Sequence, residues 1–258
     1  MFNNAFLMAV VLAWSGPAFA AHPLITDDAG TQGKGKLQFE FNGEYARDKE
    51  DGITVKSFTF PTIPVLSYGI ADTVDIVFGL PYTVVTTEEA GTETRQSGLS
   101  DASIEMKARF YEKEGLSLAV KPGISLPTGD ENKGPGNGKI SYSAFLITTR
   151  EAAPWAFHFN LGYIRNEYKL RVDEDAKRKD IWHVSLASQL EVVKDLSTVA
   201  NAGMERNSDK TSNTHPAFVL GGFIYSLNES VDIDAGVKAG LNRAEADYTL
   251  LAGLTYRY

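Results

Sequence analysis

Apolar and polar residues alternate along most of the chain with a period of two, which is the pattern of a β-strand whose two faces meet different surroundings. Residues 155–163, WAFHFNLGY, show it clearly, because every second side chain is large and apolar. Twelve segments have this pattern, and most are 9–12 residues long, the length with which a tilted strand crosses a bilayer. The segments are 36–46, 55–68, 73–83, 101–111, 116–127, 139–149, 155–163, 181–192, 196–205, 216–226, 230–241 and 247–258.

The links between these segments alternate between short and long. GIAD, EKEG, REAAP, VKDL and LNES are short, whereas TTEEAGTETRQS, TGDENKGPGNG, NEYKLRVDEDAKRKD and RNSDKTSNT are long, polar and charged. The sequence therefore predicts an all-β fold, a transmembrane antiparallel up-and-down β-barrel of about 12 strands, with both termini at the rim that carries the short turns. Ten or fourteen strands remain open, because Pro61 and Pro64 weaken the segment 55–68.

The apolar faces of such strands are expected to point outward, into lipid. A lumen enclosed by twelve strands is wider than that of the eight-stranded barrels that side chains can fill, so an apolar interior would leave a void. The polar faces also hold many small residues, which suit a concave wall: Gly79, Ser103, Ser117, Ala119, Gly123, Ser125, Ser185, Ala187, Gly203, Gly236, Gly240 and Gly253. A soluble exported all-β protein remains the alternative, since its strands also have one apolar and one polar face.

The first twenty residues predict an export signal that is removed from the mature protein. AFLMAVVLAW is an apolar run of the length of a signal-peptide core, and AFA at 18–20 forms a cleavage site after Ala20. The predicted organisation is a signal peptide at 1–20, an N-terminal periplasmic lead-in at 21–35 and an outer-membrane barrel at 36–258. No lipobox cysteine and no later apolar run of about 18 residues follows, so we expect neither a lipid anchor nor a membrane helix.

Composition argues against several kinds of chemistry. The chain has 25 Lys and Arg against 33 Asp and Glu, which argues against nucleic-acid binding, and it has no cysteine for disulfides or thiolate metal sites. GTQGKGK at 30–36 begins like a phosphate loop, but Leu37 stands where Ser or Thr is required, and a strand follows instead of a helix. TGDENKGPGNG at 128–138 lacks the residue order of a calcium loop. We therefore expect no cofactor, no metal and no nucleic-acid partner.

Charged and histidine side chains on the polar faces are the candidates for lining the lumen. They are Glu105, Lys107, Arg109, Lys121, His158, His183, Asp232, Asp234 and Lys238. In an open lumen these groups would select permeants, whereas charges of both signs on neighbouring strands would instead pair and close the bore. Both interpretations stay open. His158 and His183 lie on neighbouring strands and could approach each other, but no GxSxG or HExxH motif occurs, so no catalytic residue is predicted.

Four stretches carry a resemblance to a known family: ITDDAGTQGKGKLQFE (25–40), YGIADTVDIVFGLPY (68–82), GLSDASIEMKARF (98–110) and PGISLPTGD (122–130). They resemble a family of outer-membrane transporters named for its association with the meta-cleavage pathway of phenol degradation, and the similarity spans most of the mature chain. The resemblance implies an outer-membrane barrel that moves small organic molecules. It supplies no functional residue that can be placed on this sequence.

The sequence therefore predicts a channel or passive transporter for small molecules, with aromatic or amphiphilic ones as candidates, in the outer membrane of a Gram-negative bacterium. A non-conducting structural or partner-binding barrel is the first alternative, and a barrel enzyme is a weaker one. The expected partners are outer-membrane lipid and the barrel-assembly machinery, which reads a C-terminal aromatic signal. Tyr256 and Tyr258 on the last segment provide that signal.

Overall fold

The structure is a computed structural model that describes residues 22–50, 52–60, 65–131 and 136–258. The predicted signal peptide at 1–20, with its cleavage site after Ala20, lies outside the described residues. So do Pro61 and Pro64 of the second predicted strand.

Fifteen strands occur in these residues and are numbered in chain order. They are β1 (Leu37–Glu50), β2 (Ile53–Phe60), β3 (Val65–Ala71), β4 (Val74–Gly79), β5 (Tyr82–Glu89), β6 (Thr92–Leu99), β7 (Ala102–Lys113), β8 (Leu116–Leu126), β9 (Ser141–Ala152), β10 (Trp155–Arg165), β11 (Asp180–Val193), β12 (Leu196–Glu205), β13 (Ala217–Asn228), β14 (Val231–Gly240) and β15 (Tyr248–Arg257). A six-residue helix, α1 (Arg171–Ala176), lies between β10 and β11. Within the described ranges, no helix has the length and hydropathy to cross a membrane.

The fifteen strands build a wall of twelve, because three wall strands each consist of two consecutive elements. β2 and β3 pair with successive parts of β1, β4 continues into β5 and β6 into β7, so that β3 pairs with β4 while β2 pairs with β5. All neighbouring strands are antiparallel, and β15 pairs with β1 from Arg257 opposite Gln38 to Tyr248 opposite Arg47. This last pairing closes the sheet and confirms the predicted twelve-stranded barrel.

The two rims of the barrel differ as the link lengths predicted. At one rim, termed the short-turn rim, two-residue turns at 72–73, 114–115, 153–154, 194–195 and 229–230 join the strands. At the opposite, long-loop rim the links include 127–140, 166–179, 206–216 and 241–247. β1 begins and β15 ends at the short-turn rim, where the backbones of Leu37 and Tyr258 exchange two hydrogen bonds of 2.9 Å.

The link TTEEAGTETRQS was predicted as a long loop, but it is a β-hairpin formed by β5 and β6. Its turn has positive φ at Ala90 (48°) and Gly91 (80°), as in the tight turns that match the twist of two paired strands. The flanking threonines and valines are β-branched and favour extended backbone, which outweighs the polarity of the stretch. β1 likewise continues to Glu50, so β1, β2, β5 and β6 extend the wall as a sheet on this side.

The two faces of the wall have opposite chemistry. In β10 the exposed side chains, Trp155, Phe157, Phe159, Leu161 and Tyr163, alternate with buried ones. Leu161 is 50% exposed, whereas the neighbouring Asn160 is 2% exposed. Large apolar side chains thus point away from the lumen, as the alternation predicted, and they form the surface that lipid would cover.

Replacing Leu161 with arginine should destabilise the barrel in a bilayer, because the residue lies midway along β10 on the outward face. The expected loss in the free energy of unfolding is about 2–4 kcal/mol. Leu241→Arg is the control, since Leu241 follows β14 at the long-loop rim and should tolerate the charge at a cost of about 0–1 kcal/mol. Denaturant titration of both variants in lipid vesicles measures the two losses. Equal losses would mean that the cost of a charge on the outward face does not depend on its depth in the bilayer.

Candidate functional site

The segment before β1 lies inside the barrel. This segment, residues 22–36, is termed the lead-in, and its residues up to 35 were predicted to lie in the periplasm as part of the segment 21–35. Thr26 and Ala29 have no exposed surface, and Asp28 is 2% exposed. Inward-facing side chains of the wall surround these residues, so the lead-in is part of the lumen and not a periplasmic extension.

Two asparagines hold the middle of the lead-in by its backbone. Oδ1 of Asn201, on β12, accepts the N–H groups of Ile25 (2.8 Å) and Thr26 (3.1 Å), and its Nδ2 donates to the Thr26 hydroxyl (2.7 Å). Asn160, on β10, accepts the N–H of Asp27 (2.7 Å) and donates to the Asp27 carbonyl (2.8 Å). Because a carboxamide donates and accepts at once, these side chains supply the partners that an irregular backbone lacks.

Further contacts carry the lead-in around the inner wall toward β1. Its groups bond to Thr149 on β9, Asp75 on β4, Asp72 in the β3–β4 turn and Gly69 on β3. At its other end, His22 Nδ1 lies 2.6 Å from Asp234 Oδ1 on β14. These contacts trace an arc from β14 past β12, β10 and β9 to β3, so the lead-in narrows the lumen around much of its circumference.

A group of four charged side chains is centred on Asp27 of the lead-in. Nζ of Lys107, on β7, lies 2.7 Å from Asp27 Oδ1, and Nζ of Lys121, on β8, lies 2.7 Å from Asp27 Oδ2. Lys121 also lies 3.5 Å from Glu105 Oε2. Burial favours the neutral form of Asp27, but the two ammonium groups outweigh it, so the pKa of Asp27 lies well below its usual range. Three predicted lumen residues thus meet at one anchor of the lead-in.

The wall is recessed where the start of the lead-in packs. A Cβ atom on Gly222 would lie 2.9 Å from Cγ of Pro23, and one on Gly236 would lie 2.9 Å from its Cβ. Leu24 packs against an apolar cluster on the inner wall that consists of Val199, Phe218, Leu220, Ile224 and Leu251. The small residues predicted for a concave wall therefore include at least one, Gly236, that makes room for a second chain segment.

The other charged residues predicted to line the lumen also have partners. Asp232 pairs with Arg257 (2.6 Å), Lys238 with Glu245 (2.8 Å), Arg109 with Glu112 (3.3 Å) and Asp234 with His22. Of these four pairs, Asp232–Arg257 joins neighbouring strands, whereas Glu245 lies in the link 241–247 and Glu112 on the same strand as Arg109. Two of the partners, His22 and Asp27, come from the lead-in and not from a neighbouring strand.

His158 and His183 do not approach each other. His158 lies opposite Ala187 in the register of β10 and β11, and Ala187 is four residues from His183 along the strand. His158 Nδ1 is 3.0 Å from the hydroxyl of Thr149, which accepts the N–H of Ala29 at 2.9 Å. His158 therefore supports a contact of the lead-in.

His183 lies between a hydroxyl and a carboxylate, in the order of a hydrolase triad. Its Nε2 is 3.0 Å from Ser185 Oγ, and its Nδ1 is 3.4 Å from Glu205 Oε2. Ser185 is only 2% exposed, which leaves no space for a substrate at its hydroxyl. In the part of the chain that is described, no group of three or more histidines and carboxylates is arranged to hold a metal ion.

A cavity of about 340 Å³ lies beside the lead-in, along the inner faces of β1, β3, β4 and β7. Among the described residues, its lining includes six carboxylates, Asp27, Asp28, Glu40, Glu44, Asp75 and Glu105, but only two ammonium groups, those of Lys107 and Lys121. Apolar side chains, among them Val65, Val77 and Leu251, line it as well. The lead-in thus leaves an acidic and partly apolar space in the lumen.

Sequence reasoning missed the side chains that hold the lead-in backbone. It considered charged residues and histidines, whereas Asn160, Asn201 and Thr149 are neutral. Asparagine is depleted in strands, so an asparagine at an inward position of both β10 and β12 was a usable signal.

Solved structures of similar fold include outer-membrane channels and porins. An outer membrane channel from Pseudomonas putida F1 gives a TM-score of 0.72 at 12% identity, covering 90% of this chain and 98% of that chain. The NanC porin gives 0.56 at 9% identity, covering 84% and 98%. The KdgM porin in complex with disordered oligogalacturonate gives 0.51 at 7% identity, covering 86% and 98%. At these identities the likeness shows the fold, which is that of an outer-membrane β-barrel.

The sequence itself identifies the family. A comparison with curated proteins gave no match. Residues 20–258, which include the lead-in and every strand of the wall, match the model of the family described as "Putative MetA-pathway of phenol degradation". The chain therefore belongs to this family, as its motifs predicted.

Proposed function

We propose that this protein is an outer-membrane channel through which small solutes diffuse passively. The observation that carries the proposal is the cavity beside β1, because it keeps polar space open in a lumen that the lead-in narrows. The closed wall supports the proposal, since an apolar outer face and a polar inner face are what a channel across a bilayer requires.

Solutes would pass between the lead-in and the inner face of β1. One side of the narrow region is then the barrel wall, and the other is a segment held by side-chain contacts such as those of Asn160 and Asn201. Diameter and lining residues would set selectivity without a cofactor. The family's description names phenol degradation, so small aromatic or amphiphilic molecules are the candidate permeants.

Recordings from planar lipid bilayers test the proposed channel. The full-length protein should give discrete single-channel conductance steps, because the cavity provides polar space beside the lead-in that ions can enter. Heat-modifiable migration in gels, measured on the same preparation, shows whether the barrel is folded. A folded barrel that gives no conductance steps would contradict the channel function.

A non-conducting structural barrel is the second candidate, and the ion group around Asp27 favours it. A lead-in that is held by Lys107, Lys121 and two asparagines would act as a permanent plug in the lumen. The two candidates differ in conductance, so the same recordings decide between them.

We infer that the protein is not an enzyme, because Ser185 of the triad-like group is almost fully buried and no GxSxG or HExxH motif occurs in the sequence. Outer-membrane lipid would surround the outward face. Tyr256 points outward near the end of β15, and Tyr258 is 80% exposed at the short-turn rim. These positions are compatible with a signal for the barrel-assembly machinery, which remains a prediction.

A further inference from the structure

We propose that the cavity beside β1 selects cations over anions and takes small organic ammonium ions in particular. This proposal rests on the proposed channel function and names the class of solute that the channel carries. Three features of the described lining support it: carboxylates without a cationic partner, a buried amide oxygen without a donor, and an apolar side.

Two carboxylates on the inner face of β1, Glu40 and Glu44, are termed the acidic stripe. Glu40 accepts hydrogen bonds from the amide groups of Gln38 (2.7 Å) and Asn42 (3.2 Å), which orient its carboxylate without neutralising it. Glu44 lines the same cavity two inward positions further along the strand. Neither glutamate forms an ion pair with any residue that the structure describes.

The lysines that line the cavity do not offset the acidic stripe. Lys107 and Lys121 both bind Asp27, and Lys121 also lies beside Glu105. Two ammonium groups thus face two carboxylates within this group, and their charges balance. The charge of the acidic stripe is left to act on whatever occupies the cavity, and a confined space with a net charge concentrates ions of the opposite sign.

Two buried polar atoms in the same lining lack a hydrogen-bond partner among the described residues. Asn42 is 6% exposed, and its Oδ1 has no donor among the described residues, while its Nδ2 donates to Glu40. His22, 8% exposed, contacts Asp234 through Nδ1, and its Nε2 has no partner within the described ranges. An ammonium group has three N–H donors, so in the cavity it can bond to Glu40, which Asn42 orients, and balance its charge.

Apolar side chains give the cavity a surface for an organic group. Val65 on β3, Val77 on β4 and Leu251 on β15 line it together with Leu24 of the lead-in. A hydrated inorganic ion gains nothing from this surface, whereas an aromatic ring attached to the ammonium group would be removed from water. The cavity therefore suits an organic cation better than a simple metal ion.

Reversal potentials in bilayers of neutral phosphatidylcholine test the proposal. A KCl gradient gives the permeability of K⁺ relative to Cl⁻. Gradients of benzylammonium chloride and of sodium benzoate then give the permeabilities of two organic ions that share an aromatic ring and have opposite charges. We expect K⁺ to be favoured at least about fivefold, because a cation 4 Å from one carboxylate in water gains about 1 kcal/mol, which is about fivefold. Benzylammonium should permeate far better than benzoate.

Removing the acidic stripe should remove the selectivity. Glu40→Gln combined with Glu44→Gln should lower the ratio of K⁺ to Cl⁻ permeability at least about fivefold while conductance steps persist. The control, Glu89→Gln with Glu93→Gln, removes two charges from the exposed β5–β6 hairpin and should leave the ratio unchanged.

The possible outcomes separate this proposal from the channel function. A wild-type ratio at or below one, or equal passage of benzylammonium and benzoate, overturns the proposal and leaves the channel function standing. A folded barrel without conductance overturns both. An unchanged ratio after loss of Glu40 and Glu44 contradicts the role of the acidic stripe, and if that variant does not fold, the wild-type ratio decides.

Discussion

Replacing Asp27 with asparagine is expected to raise the population of detached lead-in about 150-fold. Asp27→Asn keeps the shape of the side chain but removes the charge that Lys107 and Lys121 share at 2.7 Å each. Loss of one partner from a buried ion pair typically costs about 3–5 kcal/mol, because the other charge stays buried without compensation. The Asp27 side chain is 23% exposed and Glu105 still faces Lys121, so we take the lower end, about 3 kcal/mol, which is about 150-fold.

A single thiol measures this detachment, because the chain contains no cysteine of its own. Thr26→Cys is suitable, since Thr26 has no exposed surface and contacts Asn201. A water-soluble thiol reagent reaches this position only when the lead-in opens, so adding Asp27→Asn should raise the labelling rate about 150-fold. Asp175→Asn in the exposed helix α1 removes the same charge far from the lumen and should not change the rate. Equal rates with and without the Asp27 charge would mean that the asparagines alone hold the lead-in.

The wall could be predicted from the sequence because each strand has lipid on one side and the lumen on the other. That contrast gives every strand the same period of two, and residues such as Leu250 and Leu254 of β15 are exposed while Thr249 and Thr255 are buried. Residues that break this alternation indicated contacts with a segment inside the barrel, and the prediction did not use them. Leu251 is an apolar residue on the inward face, and it packs in the cluster that Leu24 of the lead-in covers.

The position of the lead-in could not be predicted, because it depends on contacts between residues far apart in the sequence. Asp27 is 80 residues from Lys107, and Thr26 is 175 residues from Asn201. A segment without strand or helix periodicity gives no pattern that indicates its partners. The alternation of β7 predicted that Lys107 points inward. It did not predict that the partner of Lys107 would come from the lead-in.

Adding one methyl group at Gly69 is expected to displace the end of the lead-in from β3. A Cβ atom at this inward position would overlap the carbonyl group of Gly33, lying 2.6 Å from its carbon. Backbone atoms cannot rotate away as a side chain can, and Gly69 also bonds to Gly35 and Lys36 of the lead-in. The cost should therefore reach the upper end of the range for overpacking, about 3 kcal/mol, which is about 150-fold in the detached population.

A thiol close to the contact between Gly69 and the lead-in distinguishes a local displacement of the lead-in from a loosening along its whole length. Thr31 is 6% exposed, and a Thr31→Cys thiol should label about 150-fold faster when Gly69→Ala is added. Thr26→Cys should change much less, because Asn201 still holds that part of the lead-in. Gly221→Ala is the matched control, since a Cβ atom there meets nothing within 4 Å. Unchanged labelling at Thr31 in the Gly69→Ala variant would mean that β3 shifts to accommodate the methyl group, and that the lead-in is held more firmly than the wall around it.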